Sequence, residues 1–527
     1  MTSEFHTTFE QVEKTRSFKS SRRENKHMQQ AIETYTRARN AQVKVRNLTI
    51  TQRLKFIENL KQEILKHQES LIDSVQKDTR KSRTDALMSE IYPILDHLDY
   101  LLKNAEGVLA DQKVKTPIAM LGKKSKVFFE PLGTILVISP WNYPLYQAIV
   151  PCTSAFVTGN AVVYKPSEHT PLKNVCEDIF KKAGFESDWI QVVYGEGNVA
   201  EALIEQKPEK IFFTGSVQTG KKIMAQASKY LIPVELELGG KDPMVVFEDA
   251  NIQRAVGGAV WGAMTNSGQS CTSVERLYVH NSIYDEFKLQ LVREIERVTQ
   301  KVDRDGSSDI GSMTTAFQVN VIAQQLKQAL SEGANQLTGL SWDLKNPDIP
   351  PIVLDGVQST MDIMQEESFG PIVCLVPFET EEEVVFLANQ SKYGLSASVW
   401  SADIKRAERV SRQIVTGNVS INNVMLSEGN HALPFGGVKQ SGFGRFKGSF
   451  GLHAFSNIKS VLLDQNSKKL EANWYPYTSK KYQLFTKMMH GLFSKGISNF
   501  IQFLIYGLKL ESYSQKQAKL DRDQEGK

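Results

Sequence analysis

Residues 135–144 read ILVISPWNYP: four β-favouring side chains, Ile135 to Ile138, stop at a Ser-Pro turn. The same signature recurs downstream, where Val162 to Tyr164 runs into Lys165-Pro166, Val192 to Tyr194 into Gly195, and Ile211 to Phe213 into Thr214-Gly215. Helical stretches separate these runs at intervals of roughly 25 residues, the rhythm of βαβ units in a parallel sheet. A second series follows in Met244 to Phe247, Leu277 to Val279, Ile372 to Val376 and Val419 to Ile421, again alternating with helical segments such as Asp285 to Val302. The expectation is an α/β protein with two doubly wound parallel-sheet domains.

The chain has 527 residues, 41% of them hydrophobic, which is ample for large cores and excludes a disordered protein. Lys and Arg total 63 against 59 Asp and Glu, a net charge of +4, too dilute for a nucleic-acid footprint. Four scattered cysteines, Cys152, Cys176, Cys271 and Cys374, form no CxxC pair, so neither a disulfide framework nor a zinc site is expected. That usage suits a reducing, cytoplasmic setting. Residues 1–30 mix both charges without the apolar core of a signal peptide and read as a mobile polar arm. From Leu54 to Val75 apolar residues recur at helical spacing, giving a helix with one buried stripe.

Three stretches carry chemistry. Asn266-Ser267-Gly268-Gln269-Ser270-Cys271-Thr272 sets a thiol among small turn-forming residues whose N–H groups can face an anion; the alternative is a buried cysteine acting as a small hydrophobe. Glu237, in Leu236-Glu237-Leu238-Gly239-Gly240-Lys241, ends a strand before two glycines, a place equally suited to a solvated turn. Asn142 stands on a proline-stiffened turn at the carboxyl end of a strand, where α/β sheets bind ligands, and could either hydrogen-bond an oxyanion or form an Asx-turn. Lys165-Pro166-Ser167-Glu168, the stretch Phe213 to Gly220, and Glu366 to Pro371 complete the set. No GxGxxG is present where a standard dinucleotide site would lie, so pattern alone reaches only a ligand at a helix N-terminus.

Together PWNYP, KPSE, FTGSVQTGK, LELGGK, NSGQSCTSVER, EESFGP and PFGGVKQSGFGR (Pro434 to Arg445) resemble the aldehyde dehydrogenase superfamily from about residue 30 to about 465. The chain looks most like the class 3 and fatty-aldehyde branch. The resemblance implies a Rossmann-variant NAD-binding domain over 31–237, with 114–132 contributing to a small β oligomerisation segment, and a catalytic domain over 238–432. The oligomerisation segment and signature loop would occupy 433–470, and a tail 471–527. Cys271 would be the nucleophile, Glu237 the general base, and Asn142 with the Cys271 N–H the oxyanion hole. Trp141, Lys165, Glu168, Gly215, Ser216, Gly220, Glu367 and Phe369 would bind the cofactor. Ser368, where the family usually has an aliphatic residue, and Lys439-Gln440 are departures that leave the catalytic trio intact.

The chemistry needs these residue types. Hydride leaves an aldehyde only after a nucleophile forms a tetrahedral adduct, and cysteine supplies some thiolate near neutral pH. Preorganised donors to the adduct oxygen are each worth ~3 kcal/mol. The thioester left behind is cleared by a water that a carboxylate of raised pKa activates. A carboxylate at Glu168 would accept from a ribose 2′-hydroxyl and repel a 2′-phosphate, which favours NAD, with NADP the alternative. The competing readings are a non-catalytic binding protein on this fold and an acylating enzyme that passes its thioester to coenzyme A or phosphate. Intact Cys271, Glu237 and Asn142 oppose the first, and Glu237 opposes the second.

Between Ala472 and Leu510 five lysines stand without an acidic residue, beside apolar positions from Phe485 to Leu508 at helical spacing. The apolar runs are far too short to span a bilayer, so this tail would either lie peripherally on an anionic membrane on the inner face or pack on protein. Segments Lys123 to Phe129 and Val461 to Leu463 read as edge strands and predict a homodimer.

Overall fold

The computed structural model describes residues 28–466 and 469–525. Residues 1–27 of the expected polar arm lie outside them, while 28–30 already belong to a helix spanning 28–47. That helix buries Ala31, Tyr35, Ala38, Ala41 and Val45 at three- and four-residue steps, the stripe a helix needs to pack one face on the protein. The chain forms two compact units, one of residues up to Ala110 with Phe128–Lys459, the other of Asp111–Val127 with the segment from Ser460 onward.

The larger unit contains the two expected sheets. In the first, six strands lie in the order Gly442–Phe443, Val234–Glu237, Lys210–Thr214, Thr134–Ile138, Ala161–Lys165, Ile190–Val192. All pair in parallel except Gly442–Phe443, which sets Gly442 opposite Glu237. The chain winds outward in both directions from Thr134–Ile138, so the switch point falls where that strand hands over to the Asn142 turn. Continuous apolar runs such as Ile135, Leu136 and Val137 are wholly buried, as a sheet covered on both faces requires.

The second sheet has seven strands in the order Asn335–Gln336, Ile352–Asp355, Ile372–Phe378, Val274–His280, Asp242–Val246, Ser396–Trp400, Asn418–Ile421, parallel except for the first. Two buried strands, Ile352–Asp355 and Ser396–Trp400, go beyond the runs picked out in the sequence, because one is short and the other is interrupted by serines. The run Val192 to Tyr194 is displaced: the strand is Ile190–Val192, and the Tyr194 hydroxyl turns out to bond Glu177. The helix expected over Asp285 to Val302 closes early, at Ile295. The helical stripe after Leu54 belongs to two helices, Ile50–Lys66, opened by a Thr49/Gln52 capping box, and Gln68–Thr79.

Gln112–Val114, Lys123–Pro131 and Ser456–Asp464 form a three-stranded sheet in that order, so the two segments read as edge strands lie side by side, but Lys123–Pro131 is the central strand and of the two only Ser456–Asp464 is an edge. Lys123 bonds Glu471 at 2.6 Å and also pairs with Asp464. The tail is a helical hairpin, Ser479–Phe493 and Ile497–Glu525, capped at its start by Thr478. At Gly491 the helices approach so closely that a Cβ would stand 2.4 Å from the Phe503 nitrogen. The five lysines of this tail are not all on its surface. Lys481 is buried, donating to Trp474 O at 2.5 Å and Pro476 O at 3.2 Å, which satisfies its ammonium inside the unit. The apolar stripe is likewise divided, with Leu484, Phe503 and Leu510 buried while Met489, Phe493, Ile497, Ile501, Ile505 and Leu508 are exposed. Among the described residues no helix is long and apolar enough to cross a membrane.

Candidate active site

The Asn142 turn is clamped from below. Lys81 Nζ donates to Asn142 O at 2.8 Å and to Glu90 Oε1 at 2.9 Å, and both side chains of this pair are wholly buried. The other Glu90 oxygen accepts from Leu145 N at 3.0 Å and Tyr146 N at 2.7 Å, meeting orphan N–H groups where helix Tyr146–Val157 begins. Burial pushes the Glu90 carboxyl up, and Lys81 opposes that shift. So fixed, Asn142 reaches across and donates from Nδ2 to Gln269 O at 3.0 Å, which favours a donor role over a local Asx-turn.

Gln269 belongs to the cysteine loop. After helix Ile252–Met264, Asn266, Ser267 and Gly268 all take left-handed backbone angles, with φ of 53°, 54° and 69°. A Cβ on Gly268 would meet Gly370 O at 2.0 Å, so only glycine fits. Such conformations persist where surroundings over-determine them. Here Asp85 accepts from Asn266 N at 3.0 Å and Thr265 Oγ1 at 3.1 Å, and Asn266 Nδ2 donates to Asn142 O at 3.2 Å. Burial raises the Asp85 carboxyl to about 6. The loop delivers Cys271, partly exposed, in front of strand Val274–His280, while Cys152, Cys176 and Cys374 are buried. Burial, and then the Glu428, Glu367, Asp242 and Glu237 carboxyls, push the Cys271 thiol well above its usual range.

Glu237 ends strand Val234–Glu237 and is 3% exposed, which discards the solvated turn. Neither of its carboxyl oxygens has a hydrogen-bond partner among the described residues. Burial, reinforced by Glu235, drives its pKa far above the ordinary carboxylate range. The glycine-rich loop lies against it: Gly442, at φ 107°, pairs so closely that a Cβ would stand 1.9 Å from Leu236 O. A buried carboxyl without a protein partner and with a raised pKa marks a candidate functional group.

One cavity of about 980 Å³ joins these groups, with Asn142, Glu237 and Cys271 on its wall beside Trp141, Lys165, Glu168, Gly215, Ser216, Glu367 and Phe369. Lys165 and Glu168 pair at 3.1 Å. Burial works against the Glu168 charge, but its own backbone N–H and Lys165 hold its carboxyl below the usual value. Ser216 caps helix Val217–Ser228, presenting a helix N-terminus to the cavity, and a Cβ on Gly215 would meet the Phe213 ring at 2.5 Å. Glu367 accepts from Gly240 N at 3.0 Å and is raised to about 8 by burial and by Glu275. Glu275, paired with Lys241, accepts from Ser368 N at 2.8 Å and Phe369 N at 2.9 Å, which fixes Phe369 edge-on to Trp141 with centroids 5.3 Å apart. Gly220 is the exception. It lies off the cavity wall, where a Cβ would stand 2.8 Å from Leu238 Cδ2, so it serves helix packing.

Sequence reading missed Lys81, Asp85 and Glu90, which look like ordinary helical charges until the fold buries them, and Lys447, two residues beyond the last motif. Among the described residues no cluster of His, Cys, Asp and Glu could hold a metal ion.

The aldehyde dehydrogenase family model matches residues 2–461. The chain is 41% identical over 452 residues to a 4,4'-diapolycopene aldehyde oxidase of Methylomonas sp, covering 85% of this chain and 84% of that protein. It is 34% identical to the chloroplastic betaine aldehyde dehydrogenase of Atriplex hortensis, over 80% of this chain and 85% of the other. Among solved structures it is similar to the NAD+ complex of a Bacillus cereus aldehyde dehydrogenase, with a TM-score of 0.79, 32% identity and coverage of 83% and 89%. An E. coli NADP dependent enzyme superposes with a TM-score of 0.79 at 28% identity, covering 83% and 90%.

Proposed function

The chain belongs to the aldehyde dehydrogenase family, and on that premise we propose that it oxidises a long apolar aldehyde, fatty or terpenoid, to its carboxylate with NAD. The observation that carries the proposal is the meeting of a thiol, an amide donor and an unpartnered carboxyl on the wall of one cavity. The first sheet would carry the cofactor and the second the nucleophile.

The cavity fits a dinucleotide. The Lys165–Glu168 pair supplies groups for the adenosine ribose, the helix N-terminus at Ser216 suits pyrophosphate, and Glu367 and Phe369 lie toward Cys271 for the nicotinamide riboside. Glu168, held ionised, favours a free 2′-hydroxyl and hence NAD over NADP. Bound there, NAD supplies an acceptor for the hydride. Cys271 forms the carbon–sulfur bond, and Asn142 Nδ2 with the Cys271 N–H holds the adduct oxygen, each donor contributing ~3 kcal/mol. Once the thioester has formed, Glu237 takes a proton from water as that water attacks, and the acid leaves.

The substrate class is supported by the relative named for a diapolycopene aldehyde and by the exposed apolar side chains of the tail hairpin. With Lys480, Lys487, Lys495 and Lys509 beside them, these would hold the enzyme peripherally on an anionic inner membrane face where such an aldehyde partitions. Strand Ser456–Asp464, at the border of its sheet, offers an edge for a homodimer, which light scattering would test; a monomer at micromolar concentration would refute it. Screening aldehydes from two carbons to long fatty and terpenoid chains with NAD, following NADH and identifying the product, tests the function. The proposal requires the free acid and a preference for long chains. Acyl-CoA or acyl phosphate would show the acylating alternative, and no NADH from any aldehyde would show a scaffold.

A further inference from the structure

Cys271 and Thr272 are the two central residues of a turn that Ser273 N closes by donating to Ser270 O at 3.1 Å, just before strand Val274–His280. On one side Gly240 lies against the main chain of this turn, where a Cβ would stand 2.2 Å from Cys271 O. The hydroxyls that flank the thiol, Ser270 Oγ and Thr272 Oγ1, are 3.2 Å apart, and both residues are buried. Thr272 Oγ1 donates to Glu428 Oε2 at 2.9 Å, a bond that spans 156 positions of chain. A hydroxyl has one proton to give. Because that of Thr272 goes to the carboxylate, the Ser270 hydroxyl must donate to Thr272 Oγ1, so one carboxylate sets the direction of both bonds.

Glu428 is itself fixed in place. It belongs to the short helix Leu426–Gly429, which follows strand Asn418–Ile421 after Met425 at φ 59°. Its N–H donates to Met425 O at 3.0 Å, and its main-chain oxygen accepts from Lys447 Nζ at 2.7 Å. Lys447 is buried, with its ammonium 4.9 Å from the centroid of the Phe435 ring, so that donor is held from its own side. The loop does not need the carboxylate to stay in place, since Val424 is already buried in the core beside Gly262 and Val274. What the carboxylate adds is the bond to Thr272, and a bond to an ionised acceptor is the stronger kind. We propose that Glu428 is a positioning residue for the reaction: through Thr272 it fixes the turn that carries Cys271, and so the approach of the sulfur to the aldehyde carbon. It touches no substrate and takes no proton from the thiol. This rests on the reading of Cys271 as the nucleophile.

The test is the rate of NADH formation in the first turnover, with the full chain mixed with NAD and decanal and melting temperatures taken to confirm folding. The proteins are the wild type, Glu428→Leu, Glu428→Gln, Thr272→Val and the double variant Glu428→Leu/Thr272→Val. A displacement of about 1 Å at a reacting atom costs about a hundredfold, so Glu428→Leu and Thr272→Val should each slow the first turnover by about tenfold or more. The KM for NAD should not move, and the double variant should be no slower than the slower single, because both changes remove one bond. Glu428→Gln keeps an acceptor for Thr272 and should retain most of the rate. The Glu428 carboxyl also opposes ionisation of Cys271, so a role through charge alone would make Glu428→Gln and Glu428→Leu alike, both faster than wild type, and that result overturns the proposal. Losses that multiply in the double variant overturn it too, as does a wild-type rate in folded Glu428→Leu. Thr272→Val keeps the branched shape without the hydroxyl and decides the matter in the same way if Glu428→Leu does not fold. NADH formed by folded Cys271→Ala would instead overturn the nucleophile reading.

Discussion

Lys81 Nζ donates to the main-chain oxygen of Asn142 at 2.8 Å, so a lysine 61 positions upstream fixes the turn from which the amide reaches the cysteine loop. Because Lys81 also neutralises the buried Glu90, removing either partner alone leaves an uncompensated charge. Lys81→Met should destabilise the protein by about 3–5 kcal/mol, and the double variant Lys81→Met/Glu90→Leu should cost less than the single. Denaturant unfolding checks this, and a single variant milder than the double would contradict it.

Glu367 imposes a pH dependence. Its folded pKa of about 8 exceeds the ordinary 4.5, so between these values the native state binds more protons than the unfolded one and stability falls as pH rises. Glu367→Gln should flatten that fall. Melting temperatures across pH 4.5 to 8 that decline equally in both proteins would contradict it.

The βαβ rhythm and the motif loops were legible because strands such as Thr134–Ile138, buried on both faces, must be written as unbroken apolar runs. Cys271, Glu237 and Asn142 stood out for the turn chemistry around them. What holds them did not: Asp85 reaches Asn266 across 181 positions, and no local pattern encodes that distance. Lys481 misled for a related reason, since its burial depends on carbonyls of the preceding loop and not on its helix face.

Gly442→Ala should be disruptive, because its Cβ would meet Leu236 O at 1.9 Å and its φ of 107° disfavours any side chain. The strain costs of order 1–3 kcal/mol even before the clash is counted. The expected result is a lowered melting temperature and weakened activity through displacement of Glu237. A variant with wild-type stability and turnover would show that the close pairing is dispensable.

Deleting residues 479–527 removes the hairpin with its exposed Phe493, Ile497 and Leu508. The truncated protein should no longer sediment with anionic liposomes, and activity on long aldehydes should fall far more than on short ones. Equal sedimentation of both proteins would assign the apolar face to a protein contact.

The proposed reaction passes through a covalent thioester on Cys271 that Glu237 clears. Its most direct test is Glu237→Gln mixed with NAD and a long-chain aldehyde in a single turnover, quenched and mapped by mass spectrometry. The Cys271 peptide should carry the mass of the acyl group, accumulating because the water lacks its base. An acyl group on another residue, or an unmodified Cys271 with turnover continuing at the wild-type rate, would contradict it.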